Sequence, residues 1–458
     1  MVVVRVTLLL LNQQIRHDLG RSSLTIGFDV MSVLERLVFC GSDRPQLRQA
    51  SEAPFDGGHL FCLEAARVAP NLLTHASHSI ARLFQTERIP SVAPIVVLDD
   101  FFPNMYSGFR VAEYNAYLER YPNLTVRSTS HDFAEAYPLY AERYPALAPR
   151  VLPFDPSALA DARLAYFMFL HNAHAFLPFL EAAQLPFAFT LNPGGSFGLK
   201  SAASDAMLDP VLASPFLRHV IATQTITQTY LRDRGVPPEK IALIYGGVMN
   251  SRYVDGPAPA RAYFPEKSQL DVAFIAHKYM PLGANKGFPE FCALASRLAD
   301  DSTISWHIVG HGFGEEDWPA TFLRPQRLTF HGLFESTTTL YEFLPGVDVV
   351  VSPQRPFLLY PGCFDSFPTL GVVEASFQGA AMVCSDVLGM NHVYRNGVQI
   401  CVVPPEVDAL ARVVQELKAD PKRLRAIAKA GQKRSRDLFS PSAQLAPRFE
   451  ILERYAHL

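Results

Sequence analysis

From about residue 94 onward, short unbroken apolar runs alternate with longer segments whose apolar residues recur every three or four positions. The first kind suits strands covered on both faces, the second helices with one apolar stripe. Their alternation predicts an α/β protein with parallel sheets flanked by helices. In the first half, strands are expected at 94–98, 124–127, 163–170, 187–191, 219–223 and 240–244, with helices at 110–118 and 224–234. In the second half, strands are expected at 271–276, 304–309, 327–330, 347–352 and 381–385. Helices are expected there at 337–344, 370–378, 406–418, 421–438 and 441–457. A further helix is expected to be capped by Asn285, with Pro289 in its first turn and Phe288, Phe291, Cys292, Ala295 and Leu298 on its buried face.

Between the halves, residues 250–269 lose this periodicity around Gly256-Pro257-Ala258-Pro259 and read as a linker. The expected organisation is an extension at 1–90 with no assigned role, α/β domains at 91–255 and 256–440, and a C-terminal helix at 441–458 placed to cross back to the first domain. Two doubly wound domains would face each other across a cleft at the carboxyl ends of their strands. The apolar run at 1–11 is split by Arg5 and falls short of the roughly 20 residues a bilayer span needs, so it reads as a buried strand. The stretch 164–189 carries His171, Asn172, His174 and Glu181 and reads as a strand plus a helix.

Composition narrows the function classes. Of 458 residues, 49% are apolar and 19% charged, enough for large cores and unlike a disordered chain. Lys plus Arg is 41 against 44 for Asp plus Glu, a net charge of −3, which gives no electrostatic reason to expect nucleic acid as a partner. Six cysteines without a close pair suggest neither a disulfide framework nor a zinc knuckle, and fit reduced thiols in a cytoplasmic protein.

The richest segment is Phe364-Asp365-Ser366-Phe367-Pro368-Thr369-Leu370-Gly371-Val372-Val373-Glu374-Ala375. An acidic loop residue precedes a helix, and a second carboxylate sits about one turn into it. Free amides at a helix start hold phosphate or sugar oxygens, and carboxylates accept from sugar hydroxyls. An acidic first turn favoured by the helix dipole would give the same spacing. Upstream, Lys286 opens a helix after a strand, where a cation can neutralise a departing diphosphate. A solvated surface lysine is the plain alternative.

These segments resemble the donor-binding half of retaining, nucleotide-sugar-dependent glycosyltransferases of the GT-B fold, the family 4-like group. The likeness continues through Gly379-Ala380-Ala381-Met382-Val383-Cys384-Ser385-Asp386, Val402-Val403-Pro404-Pro405, Ile308-Val309-Gly310-His311-Gly312 and Arg327 to Gly332. It implies two Rossmann-like domains, with the first holding the acceptor and the second the nucleoside diphosphate sugar. Carried over by position, Asp365, Lys286 and Glu374 would be catalytic. Glu374 would bind the donor ribose, Asp365 would sit at the sugar ring, and Lys286 would hold the diphosphate. His277, Lys278, Gly310, Gly312, Phe367, Pro368, Thr369 and Leu370 would line the donor site. Asn192, Gly194, Gly195, His171 and Gly108 would lie on the acceptor side.

Two departures stand out. The family pattern puts its first acid at position 366, here Ser366, whereas Asp365 lies one residue earlier, which implies a loop longer by one. The family's His-Gly turn reads Asn192 to Gly195 here. The resemblance implies no cofactor and no metal, so Asp99-Asp100 reads as an acidic pair at a helix start. The implied partners are a nucleotide sugar and a glycan or lipid-linked acceptor, the latter leaving room for peripheral membrane contact. The contrasting reading is a degenerate scaffold subunit of the same fold.

Overall fold

A computed structural model describes residues 94–250, 256, 260–334 and 337–456. The expected strand at 1–11 and the extension at 1–90 lie outside the described residues. The described residues form one compact unit.

The first sheet contains β1 (Ile95–Asp99), β2 (Thr125–Ser128), β3 (Val151–Pro153), β4 (Leu164–Met168), β5 (Phe187–Leu191), β6 (Leu217–Ala222) and β7 (Ile241–Leu243). Their spatial order is β3-β2-β1-β4-β5-β6-β7. Ile95-Val96-Val97-Leu98 is buried along its whole length because β2 and β4 flank it in parallel and helices cover both faces. The helices of this lobe are α1 (Gly108–Arg120), α2 (Phe133–Arg143), α3 (Leu170–Ala182), α4 (Ala202–Ala213) and α5 (Thr225–Asp233).

The second sheet repeats the plan with β8 (Leu270–Ile275), β9 (Ile304–Val309), β10 (Leu328–Gly332), β11 (Val349–Ser352), β12 (Ala381–Cys384) and β13 (Cys401–Val402). Its order is β10-β9-β8-β11-β12-β13. It carries α6 (Phe288–Arg297), α7 (Thr337–Phe343), α8 (Leu370–Phe377), α9 (Val407–Ala419) and α10 (Pro421–Phe439). In α6 the expected stripe of Phe288, Phe291, Cys292 and Ala295 is buried, at the spacing a helix needs to seat one face on a sheet. In each sheet the order reverses beside the first strand, between β1 and β4 and between β8 and β11. Loops leaving those strands diverge there and open a crevice at their carboxyl ends.

The C-terminal helix α11 (Pro441–Ala456) follows α10 but packs into the first lobe. Ile451, Leu452 and Ala456 join that lobe's core. The guanidinium of Arg448, 1% exposed, lies 3.2 Å from the Glu113 carboxylate of α1.

Some expectations need correction. Asn285 does not cap α6, which begins after Gly287 in a left-handed conformation, with Pro281–Lys286 forming a separate 3-10 segment. The strand expected at 163–170 is Leu164–Met168, and His171 already lies in the first turn of α3. Helices α2 and α4 were not anticipated, since each carries an internal proline, Pro138 or Pro210, that disguises the helical period.

Candidate functional site

In the second lobe, the loops after β8 and β11 meet at the reversal point. The Lys286 ammonium lies 2.6 Å from the Asp365 carboxylate, with side chains 11% and 28% exposed. The backbone carbonyl of Asn285 accepts from the Arg355 amide at 3.0 Å and ties the two loops together. Gly287 allows that approach, since a Cβ there would fall 1.9 Å from the Pro353 carbonyl oxygen at a φ of +79°. Tyr279 places its exposed ring 5.2 Å from the Lys286 ammonium.

Helix α8 begins against the end of β8, with Gly371 pressed on Ile275. The first amides of a helix have no partner within it. The Thr369 hydroxyl and the Asn285 side-chain oxygen are buried with no partner among the described residues. Glu374, half-buried, also has no hydrogen-bond partner among the described residues, and burial raises its carboxyl to about 7. The two loops thus bring one cation and one paired carboxylate together ahead of α8, whose second turn carries the unpaired Glu374. Such a set can take an anion and hydroxyl groups side by side.

Other donor-side residues are placed less directly. The ring nitrogen Nδ1 of His277 accepts from the His311 amide at 3.2 Å. Burial, Lys286 and His311 lower the His277 pKa, so its imidazole is neutral near pH 7. Lys278 turns away to Asp317 at 2.6 Å, and Asp317 also accepts from the Gly314 amide. The segment Glu315–Asp317 thus carries one buried carboxylate, that of Asp317. Gly310 is required by packing, because a Cβ would sit 1.6 Å from the Ala276 carbonyl oxygen, and Gly312 lies against Lys278. The rings of Phe367 and Pro368 are buried, while Thr369 and Leu370 are half-buried.

In the first lobe, Asp99 and Asp100 do not start a helix, since α1 begins at Gly108. Asp99 is fully buried and accepts from Arg110 at 2.7 Å, Tyr114 at 2.8 Å and the amides of Phe101 and Phe102. Asp100 accepts from Arg110 at 3.0 Å, His171 at 2.9 Å and Asn172 at 3.0 Å. Burial opposes its ionisation, but these partners hold its carboxyl well below the usual range. Burial likewise opposes the charge on His171, and the Asp100 carboxylate overcomes it and raises the His171 pKa.

Gly195 packs on Phe169 so tightly that a Cβ would lie 2.5 Å from its ring, and its carbonyl accepts from the His171 amide at 3.1 Å. Gly194 forms a small bridge with Phe197, and Asn192 is half-buried at the end of β5. Gly108 is exposed, with open space where a Cβ would stand.

The lobes touch through these same loops. The Leu199 amide donates to the Gly362 carbonyl at 2.8 Å, and the Tyr360 hydroxyl donates to the Phe197 carbonyl at 3.1 Å. Phe197 and Phe364 stack edge to face at 5.8 Å. Two first-lobe side chains not foreseen in the sequence, Gln224 and Tyr245, reach the backbone of Phe367. Tyr245 follows a strand and precedes Gly246-Gly247, a turn whose position at a strand end was the available signal. Among the described residues, no group of three or more His, Cys, Asp or Glu side chains is arranged to hold a metal ion. None of the described helices is long and apolar enough to cross a membrane.

Residues 274–434 match the family model for glycosyl transferases group 1. No curated protein matches the chain. Among solved structures, Anabaena HepE in complex with UDP-glucose aligns over 80% of this chain and 100% of its own, at 16% identity and a TM-score of 0.60. Sucrose-phosphate synthase from Thermosynechococcus elongatus aligns over 79% of this chain and 98% of its own, at 16% identity and a TM-score of 0.53. A glycosyltransferase from Rickettsia africae aligns over 79% of this chain and 98% of its own, at 14% identity and a TM-score of 0.59. The two-lobed architecture is the GT-B fold.

Proposed function

From the match of residues 274–434 to the glycosyl transferases group 1 model, we propose that the protein moves a hexose-type residue from a nucleoside diphosphate sugar to a glycan or other hydroxyl acceptor, with retention at the anomeric carbon. The observation that carries this reading is the Lys286–Asp365 pair at the reversal point of the second sheet, beside the start of α8. HepE, a neighbour in fold, holds UDP-glucose in one structure and UDP with glucose in another, and we extend that substrate class to this chain.

In the proposed reaction the diphosphate lies between Lys286 and the first amides of α8. The bond from the anomeric carbon to the diphosphate oxygen breaks, and its electron pair leaves with the diphosphate. Lys286 and the helix amides stabilise the charge that develops there. The acceptor hydroxyl attacks from the same face, and its proton passes to the departing oxygen. Asp365 accepts from the sugar hydroxyls and Glu374 from the ribose. The contact between Asp365 and Lys286 supports the longer-loop reading of the shifted acid. We assign no step to a metal or cofactor, because Lys286 and the helix start supply the positive potential. We place the reaction in the cytoplasm, which suits Cys292, Cys363, Cys384 and Cys401, all unpaired.

The test is a panel of UDP-, GDP- and ADP-sugars assayed for binding and for slow hydrolysis. Binding of at least one, lost in Lys286→Ala, is the expected result. No binding to any would reject this function and favour the scaffold reading.

A further inference from the structure

We propose that Tyr245 and Gln224, on the first lobe, position the donor loop of the second lobe, so that the sugar site is complete only while the lobes are closed on each other. This rests on the glycosyltransferase reading above.

The loop between β11 and α8 carries Asp365 and delivers the start of α8. Within it, both hydrogen-bonding groups of one residue, Phe367, are taken by the opposite lobe. Its amide donates to the Gln224 side-chain oxygen at 3.4 Å, and its carbonyl accepts from the Tyr245 hydroxyl. Phe367 stands two residues after Asp365 and two before Thr369. Its orientation therefore sets both the carboxylate and the helix start. Earlier in the same loop, Gly362 accepts from the Leu199 amide and Tyr360 donates to Phe197. Gly198 and Gly362 permit this approach, since a Cβ at Gly198 would fall 2.7 Å from the Pro361 carbonyl oxygen.

Beside Phe367 the support from its own lobe is thinner, the Arg355 contacts with Asn285 and Glu290 holding only the start of the loop. Gln354 donates to the Ser366 carbonyl at 3.3 Å, and Asp365 pairs with Lys286. A diphosphate would compete for that lysine, leaving the loop more dependent on the first lobe. Tyr245 is fixed in turn: its backbone carbonyl accepts from Gln444 of α11 at 2.9 Å. Separating the lobes would break the Gln224, Tyr245, Leu199 and Phe197 contacts together, and a long loop freed at its middle regains conformational entropy. Closure and donor binding are then linked, each favouring the other by the same factor. Tyr245 would raise donor affinity as a positioning residue, acting through Phe367.

The variant that isolates this is Tyr245→Phe, which removes one hydroxyl and keeps the ring. Hydrogen–deuterium exchange of the full chain without ligand is expected to show peptides within 357–369 exchanging about tenfold faster, the scale of one lost hydrogen bond, with the rest of the second lobe unchanged. With the sugar nucleotide that binds best in the panel, donor KM is expected to rise about threefold to tenfold while kcat changes much less. Gln224→Ala should act in the same direction. Lys286→Ala serves as the control, losing donor binding while loop exchange stays slow. Unchanged exchange in both Tyr245→Phe and Gln224→Ala would overturn the clamp and leave the functional reading standing. Faster exchange with unaltered donor KM would overturn the link to donor binding. Undiminished binding in Lys286→Ala would instead reject the functional reading, and the ligand-free exchange would still decide the clamp.

Discussion

The two lobes share the order of their first six strands, and each sets charged side chains at its reversal point, yet they use them oppositely. In the first lobe Asp99 and Asp100 are saturated: Arg110, Tyr114, His171, Asn172 and two backbone amides meet them. In the second lobe Lys286 has one carboxylate partner, Glu374 has none among the described residues, and buried polar atoms of Thr369 and Asn285 are unmatched. A saturated cluster holds its own loops together, whereas an unsaturated one still has hydrogen bonds to offer a ligand. The same topology thus yields a self-paired carboxylate cluster on one side and a corner with open hydrogen-bonding groups on the other.

The sharpest way to break this contrast is to unbalance the saturated side. Asp99→Ala takes one of two carboxylates from the buried Arg110 guanidinium and leaves the Tyr114 hydroxyl and two amides unpaired, and is expected to cost about 3–5 kcal/mol in urea unfolding, with little change in nucleotide affinity for molecules that remain folded. Lys286→Ala should do the reverse, lowering turnover by about a hundredfold at nearly unchanged melting temperature. An equal loss of stability in both variants would erase the distinction between the lobes.

Glu374 provides a finer probe. Its carboxyl is raised from an ordinary 4.5 to about 7, so the folded chain holds a proton that the unfolded chain releases. Its favourable contribution to stability is full below the ordinary value and is lost as pH rises through about 7. Ribose hydroxyls favour the ionised form, so donor binding below that pH should release a proton. Calorimetry in buffers of different ionisation enthalpy measures this, and Glu374→Gln should abolish the release and weaken binding by roughly tenfold. The smallest effect belongs to His171. Its raised pKa gives stability that is present below the ordinary 6.5 and lost as pH rises through the folded value. Melting curves of His171→Ala from pH 6 to 9 should lose that slope.

Much of the second lobe was legible in the sequence because its strands are apolar runs and its motifs are contiguous. Lys286 and Asp365, read as separate candidates, fall within 2.6 Å of each other. The first lobe was harder. Asp99-Asp100 looked like a helix start because the partners that fix them, Arg110, His171 and Asn172, come from α1 and α3 and carry no local spacing signal. Lys278 looked like a donor-site residue, but its partner Asp317 belongs to another loop. The contacts of Tyr245 and Gln224 with Phe367 join residues more than a hundred positions apart and appear only once the lobes are closed on each other.

The central claim is that the anionic tail of the donor binds at the reversal point of the second sheet. A crystal structure of the protein grown with UDP, GDP or ADP tests it most directly. The account predicts the diphosphate between the Lys286 ammonium and the amides of Leu370 and Gly371, with the ribose at Glu374. A diphosphate bound instead beside Asp100 and His171, with Lys286 and Asp365 undisturbed, would contradict it.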